Sequence, residues 1–347
     1  MKILFVIAAL KNGGAERVLQ VLVNHFCAKF EVCVAVLQDD EKLYKFDERV
    51  KFLYLNVYKS NLKFAKYRIL RQTFKEQNPD LIISFIDWTN VACVIANFGL
   101  NYKLICTEHN SHEFLKSGIF TFVRNFCYKR ADFLSVLTHS DLKYYKKFVK
   151  NVEVVYNPFF GEISNENFKK ENSVISVGRL EKVKGYEIYF KALSLMDKTL
   201  LKQYKIYVAG DGSERENLQN SAKNLGLNVI FLGHQKNIAE FYKKSKIFVI
   251  SSFSEGLPNV LIESAFYKCA RISSDTVGAK ELIKDEKDGL LFKICDAKEL
   301  AKKLEILMKD ENLQKKLIEN ANESLVNFMP SKILKQWEKI IETVVNK

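Results

Sequence analysis

The sequence predicts two doubly wound α/β domains, on three observations. Short apolar runs alternate with helical patterns through both halves; the chain has 347 residues, beyond the range in which one core keeps growing; and a polar stretch containing Asn157-Pro158 interrupts the alternation near residue 160. The runs are too short for amphipathic helices and too uniformly apolar for strands with one wet face. They read as strands buried on both faces of parallel sheets. Hydrophobic residues form 48% of the chain and charged residues 27%, which excludes a disordered or fibrous protein.

The first strand is "ILFVIAAL". It runs into charged, Gly-rich "KNGGAER" without a small-residue cleavage site, so a buried strand is expected rather than a signal peptide. "GGAERVLQVLVNHF" supplies the following helix and "VCVAVL" the next strand. A basic helical segment, "YKSNLKFAKYRILRQTFK", precedes the strands "LIISFI", "KLICTE" and "FLSVLT", the last two separated by the Phe-rich "LKSGIFTFVRNFCYKR". Asn157-Pro158 ends one more strand, and the first domain is expected to span residues 1–160. Residues 161–328 repeat the plan with "VISVG", "KIYVAG", "VIFLG", "IFVISS" and "ARISS", and with "PNVLIESAFYK" as a helix between the last two. Residues 329–347 form an amphipathic pattern, expected as a C-terminal helix that packs back on the first domain.

The formal charge is +13, with 54 Lys+Arg against 41 Asp+Glu, which suits an anionic partner: nucleic acid, a phosphorylated substrate or acidic lipid. Residues 51–150 hold 16 Lys+Arg and 7 Asp+Glu, so the partner surface is expected in the first half. The seven cysteines form no Cys-x-x-Cys and fall mostly in apolar runs; reduced, buried thiols in a cytoplasmic protein are expected, without disulfides or a zinc site. No run reaches the ~18 apolar residues of a membrane span, so any membrane contact would be peripheral.

In doubly wound sheets, ligands bind beyond the carboxyl ends of the strands. "GRLEKVKG" follows the first strand of the second domain and sets Arg179 and Lys184 where a diphosphate could be held, one by a bidentate fork and one by a point charge. Alone, the pair is equally a solvated basic loop. "EGLPNVLIESA" strengthens the ligand reading, because it places Glu255 after strand "IFVISS", Pro258 at the first position of a helix, and Glu263 in that helix's second turn. Eight steps along a helix span about 12 Å. That is too far for two carboxylates to share one bond as acid and base, and it suits the two ends of a nucleotide sugar: one carboxylate on ribose hydroxyls, the other on the sugar. The amides of Gly256 and Leu257 would face the charge between them. In the first domain, Gly13 and Gly14 let the backbone approach a ligand at a helix start, without the Gly-x-Gly-x-x-Gly spacing of a nicotinamide site; a plain tight turn is the alternative. His109 in "CTEHN" ends a predicted strand, although a lone histidine is more often structural. Glu108, His112 and His139 receive no role. Tyr58, Leu62, Ala65 and Ile69 line one face of the basic segment, with Lys59, Lys63 and Lys66 beside them and Arg68, Arg71 and Lys75 opposite. This reads equally as an interfacial helix for anionic lipid or a lipid-linked diphosphate, and as a helix that covers the sheet with a solvated basic face. The Phe-rich segment is a second interfacial candidate.

Through "EGLPNVLIE", "VGRLEKVKG", "AGDGSERENLQ", "FLGH" and "GAKELIKDEKDGLLF", the chain resembles, over essentially its whole length, the family 4 retaining glycosyltransferases of the GT-B fold. The resemblance implies two Rossmann-like domains facing a cleft, the first for the acceptor and the second for a nucleotide sugar. It implies that Glu263 binds the ribose, Glu255 contacts the donor sugar, and Arg179 and Lys184 hold the diphosphate. The same resemblance sets His109 beside the donor sugar, the Gly13-Gly14 loop near phosphate and acceptor, and base-reading contacts in the loop after "FLG" near His234. It also implies transfer with retention, in which the leaving diphosphate helps deprotonate the acceptor. No Asp-x-Asp is present, so neither metal nor cofactor is expected. "GGAER" and "ISFIDWTNVACVIANFGL" add a similarity to bacterial N-acetylgalactosaminyltransferases that extend polyprenyl-diphosphate-linked glycans for protein N-glycosylation. That similarity implies UDP-GalNAc as donor, a lipid-linked glycan as acceptor, and a site of action on the cytoplasmic face of an anionic membrane. Transferases of lipooligosaccharide or capsule synthesis share the motifs and stay as an alternative, as does a GT-B isomerase or phosphorylase. A basic nucleic-acid-binding protein would explain the charge but gives the glutamates no role and shows no recognised module; no nucleic-acid partner is expected.

Overall fold

β1 (Lys2–Ile7) is apolar because it lies at the centre of a sheet covered on both faces; Ile3 to Ile7 are fully buried. The computed structural model describes residues 1–10, 13–38, 44–57, 65–113, 118–161 and 168–346. These form two units, residues 1–158 with 330–347 and residues 159–329. The sequence reading set its boundaries at 160 and 329. The first unit contains α1 (Gly14–Phe26), β2 (Glu31–Val36), β3 (Lys51–Tyr54), α2 (Ala65–Gln77), β4 (Leu81–Phe85), α3 (Asp87–Asn97), β5 (Lys103–Thr107), α4 (Gly118–Tyr128), β6 (Phe133–Val136), α5 (His139–Tyr145) and β7 (Val152–Val154). Its sheet is parallel throughout, in the order β3-β2-β1-β4-β5-β6-β7. α1 shows why such helices dock: Ala15, Val18, Leu19, Leu22, Val23 and Phe26 recur at helical spacing and all are buried.

The second unit runs β8 (Glu171–Val177), α6 (Tyr186–Leu195), α7 (Lys198–Leu201), β9 (Lys205–Ala209), α8 (Arg215–Asn224), β10 (Val229–Gly233), α9 (Ala239–Lys244), β11 (Ser245–Ile250), α10 (Asn259–Phe266), β12 (Ala270–Ser274), α11 (Val277–Leu282), β13 (Leu290–Phe292), α12 (Ala297–Lys309) and α13 (Glu311–Leu325). Its parallel sheet has the order β10-β9-β8-β11-β12-β13. In each unit the strand order reverses beside the first strand, between β1 and β4 and between β8 and β11, which is where doubly wound sheets open a crevice for ligands.

The last helix, α14 (Pro330–Val345), belongs to the first unit and buries Ile333, Trp337, Ile340, Ile341 and Val344. It is tied there by Glu338, which accepts from His25 at 2.9 Å and Lys29 at 2.5 Å, and by Gln336, which donates to the Val154 carbonyl at 2.9 Å. Two strands escaped the sequence reading. β3 is a half-exposed edge and β13 is three residues long, so neither shows the long apolar run that marks the others. Of the seven cysteines six are buried and Cys295 is exposed. Among the described residues no helix is long and apolar enough to cross a membrane.

Candidate active site

Arg179 and Lys184 after β8, His234 after β10, and Glu255 to Glu263 after β11 all lie at the carboxyl end of the second unit's sheet, astride its switch point. Backbone stitching between two loops brings Lys184 to Glu255. The Ser251 hydroxyl donates to the carbonyls of Lys184 (3.2 Å) and Gly185 (2.9 Å), and the Phe253 amide donates to the Val183 carbonyl at 2.8 Å. Gly185 has φ +60°, and a Cβ there would run into the Ser251 carbonyl, so only glycine lets the loops approach this closely. The Lys184 ammonium then sits 2.6 Å from Glu255 Oε1, and the Ser252 hydroxyl donates to the same oxygen at 2.6 Å. With side chains 19% and 12% exposed, the pair is largely shielded from water.

Arg179 is exposed beside Glu181, whose carboxyl two bonds from Ser213, and then the Arg179 charge, hold below its ordinary range. These bonds tie the loop after β8 to the loop after β9. Pro258 caps α10 in an extended conformation, so the helix starts at Asn259, one residue later than the sequence suggested. Glu263 keeps its place in the second turn, where it is 6% exposed and its Oε2 accepts from the Tyr242 hydroxyl at 3.2 Å. Tyr242 lies parallel to Tyr267, with ring centroids 5.6 Å apart. Gly278 closes the other side of the turn: a Cβ there would strike the Gly256 carbonyl and the Pro258 ring. Leu257 is buried and Gly256 half-buried in that turn. His234 is exposed at the end of β10, near Asp211, which pairs with Arg215 at 2.7 Å. Ser251, Ser252 and Tyr242 were not identified from sequence. The serine pair closing "IFVISS" was the available signal; Tyr242 comes from a helix before β11, and no local pattern links it to Glu263.

In the first unit, Gly13 caps α1 in an extended conformation and Gly14 opens the helix; Lys11 and Asn12 of the same loop lie outside the described residues. Ile86, at the end of β4, has φ +70° and ψ 143°, a strained conformation for a β-branched residue, beside the switch point. The His109 ring lies along Phe85, with centroids 5.5 Å apart. Its Nε2 is 3.1 Å from the Thr107 hydroxyl, which itself donates to the Ser84 carbonyl at 2.9 Å. That donor leaves only a lone pair for the histidine, so Nε2 carries the proton and buried Nδ1 has no hydrogen-bond partner among the described residues. Burial pushes the imidazole down to about 4, so it is neutral at neutral pH. Glu108 underlies this loop: Oε1 accepts from the amides of His109 and Asn110, both at 3.0 Å, and Oε2 shares a 2.6 Å hydrogen bond with the Tyr128 hydroxyl. Burial, with Asp87 nearby, raises its carboxyl to about 8.

Of the basic segment, Lys59 and Lys63, with Tyr58 and Leu62, lie outside the described residues. α2 turns Leu70, Thr73 and Phe74 inward, so the face through Ala65 and Ile69 is only half-buried. Arg68 and Lys75 are exposed and Lys66 lies 4.9 Å from the Tyr67 ring, but the Arg71 guanidinium caps α3 by donating to the carbonyls of Ala96 (3.0 Å) and Phe98 (2.6 Å). The neighbouring helices expose large apolar side chains: Ile119 (82%), Phe122 (72%) and Phe126 (49%) on α4, and Trp88 (55%) on α3. Trp88 stacks on Phe120 of α4, and Arg130 lies 4.1 Å over the Phe126 ring.

Family models match both halves of the chain: "Glycosyltransferase Family 4" over residues 12–159 and "Glycosyl transferases group 1" over residues 161–324. The chain is 43% identical, over 100% of its length and 99% of the relative's, to the Campylobacter jejuni GalNAc-α-(1→4)-GalNAc-α-(1→3)-diNAcBac-PP-undecaprenol α-1,4-N-acetyl-D-galactosaminyltransferase. It is 31% identical, over 98% of its length and 99% of the relative's, to the amylovoran biosynthesis glycosyltransferase AmsD of Erwinia amylovora. The crystal structure of Anabaena HepE in complex with UDP and glucose shares its fold, with a TM-score of 0.84, 20% identity and 99% of each chain covered.

Proposed function

This chain belongs to the family 4, group 1 glycosyltransferases, and on that footing we propose that it moves N-acetylgalactosamine from UDP-GalNAc onto an undecaprenyl-diphosphate-linked glycan at the cytoplasmic membrane face. The end-to-end likeness to the Campylobacter α-1,4-N-acetylgalactosaminyltransferase carries the choice of sugar and acceptor. The geometry of the second unit supports the chemistry. Arg179 and Lys184, with the amides of Gly256 and Leu257, hold the diphosphate and stabilise the charge that grows on it as the sugar departs. Glu255 accepts from the sugar's hydroxyls, and its bond to Lys184 keeps both charges compensated before the donor arrives. Glu263, its carboxylate positioned by Tyr242, accepts from the ribose. His234 lies in the loop that reads the base.

Transfer proceeds with retention, the acceptor oxygen entering on the face the diphosphate leaves and the diphosphate taking up the acceptor's proton. His109, neutral and braced against Phe85 and Thr107, holds a fixed ring at the carboxyl end of the first unit's sheet and does not act as a general acid or base. The cationic side chains do the work a metal ion would do, so turnover needs no divalent cation. The exposed aromatic face of α3 and α4, bordered by Arg130 over Phe126 and Lys66 over Trp88, seats the protein on an anionic membrane within reach of its lipid-linked acceptor.

Calorimetric titration of UDP, GDP and UDP-GalNAc into the wild type, Glu263→Ala and Arg179→Ala tests the donor site. Uridine-selective binding that weakens at least about tenfold in both variants is expected. Equal binding by all three proteins overturns the assignment. Turnover of UDP-GalNAc with the undecaprenyl-diphosphate-linked trisaccharide, undiminished by EDTA, tests the acceptor and the metal-free chemistry.

A further inference from the structure

Three residues beyond His109, a second imidazole is held in a different way. His112 Nδ1 lies 2.7 Å from Asp141 Oδ1, and the His112 amide donates to that same oxygen at 2.8 Å. Asp141 is 1% exposed, and its Oδ2 accepts from the Thr138 hydroxyl at 2.6 Å. A buried carboxylate with three donors is a pure acceptor, so Nδ1 carries the proton. The ring is also fixed in plane, stacked on Tyr144 with centroids 4.4 Å apart, and the Tyr144 hydroxyl is in turn held by Asn125 at 2.7 Å. Among the described residues Nε2 has no hydrogen-bond partner, and it is not among the fully buried atoms. In the neutral ring the Nε2 lone pair therefore points outward from the loop after β5, at the carboxyl end of the first unit's sheet. The two histidines are opposites. His109 turns Nε2 onto Thr107 and buries Nδ1, whereas His112 anchors one nitrogen and presents the other.

We propose that His112 is a substrate-contacting residue whose Nε2 accepts a hydrogen bond from a hydroxyl of the acceptor sugar, with Asp141 and Tyr144 as its positioning residues. The inference rests on the glycosyltransferase reading above, in which the first unit serves the acceptor. A sugar hydroxyl fits because the anchored tautomer offers an acceptor, not a donor, and because Asp141 makes the imidazole a stronger one. A loop staple would need only the Nδ1–H bond, and that difference is testable.

His112→Asn keeps an amide donor at the Nδ1 position toward Asp141 and removes Nε2, whereas His112→Ala removes both. If Nε2 touches the acceptor, His112→Asn lowers kcat/KM for the undecaprenyl-diphosphate-linked trisaccharide at least about tenfold, with UDP-GalNAc affinity within twofold of the wild type. Wild-type turnover by His112→Asn overturns the proposal and leaves a staple. The nitrogen spectrum of ¹⁵N-histidine-labelled wild type provides a second measurement should the variant fail to fold. Addition of N-acetylgalactosamine to the UDP complex is expected to move the His112 Nε2 resonance while Nδ1 stays protonated. No movement, or movement with inorganic phosphate instead of the sugar, overturns the hydroxyl assignment. Loss of UDP binding in the wild type would mark a failure of the donor reading, and absence of wild-type turnover a failure of the acceptor assignment; in either case N-acetylgalactosamine titrated into the protein without UDP, read at the same His112 resonance, decides this proposal.

Discussion

At Glu255 one carboxylate oxygen accepts from both Lys184 and Ser252 in a largely shielded position, so the two members of the ion pair should respond differently to substitution. Lys184→Ala leaves a carboxylate without its cation and is expected to cost roughly 1–3 kcal/mol, after allowance for the residual exposure, read as a lower thermal midpoint. Glu255→Gln preserves shape and the serine bond. It is expected to bind UDP nearly as the wild type does while transferring sugar at least about 100-fold more slowly. Glu108 and His109 give opposite pH dependences. Glu108 holds its proton up to about 8 in the fold but only to about 4.5 in the unfolded chain, so its contribution is full below 4.5 and is lost as pH rises toward 8. His109 is held near 4 against 6.5 unfolded, so its contribution is present above 6.5 and is lost as pH falls toward 4. Glu108→Gln removes the first dependence, and scanning calorimetry should show its midpoint gaining on the wild type from pH 5 to pH 8. A constant difference across that range would refute the buried, protonated carboxyl.

At the scale of elements, the proposed donor site depends on loops that only glycine allows to meet. Gly185→Ala would force a methyl group against the Ser251 carbonyl at a positive φ, at a cost of about 1–3 kcal/mol. Because Lys184 is the preceding residue, UDP affinity should fall together with stability; unchanged affinity would show that the stitching does not position the lysine. In α2 the basic pattern conceals a capping role. Arg71→Ala strips two donors from the end of α3 and is expected to destabilise the first unit by about 1–2 kcal/mol, whereas Arg68→Ala, on the exposed face, should change stability by less than about 0.5 kcal/mol. The sequence shows that both residues are basic and helical, but it cannot show that one reaches the carbonyls of a helix 25 residues away.

At the scale of the whole molecule, the positive charge concentrated in residues 51–150 coincides in the first unit with the exposed aromatic side chains of α3 and α4. Phe122→Ser combined with Phe126→Ser is expected to weaken binding to anionic vesicles at least about tenfold, with UDP binding unchanged, and raised salt should weaken the wild type as well. Vesicle binding that survives both changes would exclude this face as the membrane contact.

The alternation of short apolar runs with helical stripes fixed two parallel-sheet domains, because strands covered on both faces admit no other patterning. The Glu255–Glu263 spacing and the Arg179–Lys184 loop likewise pointed to the ends of β8 and β11, where the proposed donor site lies, because strand ends and helix starts leave local signatures. The tertiary structure decided what crosses between elements: Ser251 locking the Lys184 loop, Tyr242 on Glu263, Gly278 against Gly256, Arg71 on α3, and the opposite settings of His109 and His112. Each depends on a hydrogen bond or close approach between segments distant in the chain, and the periodicity of one segment carries no information about the partner another will bring.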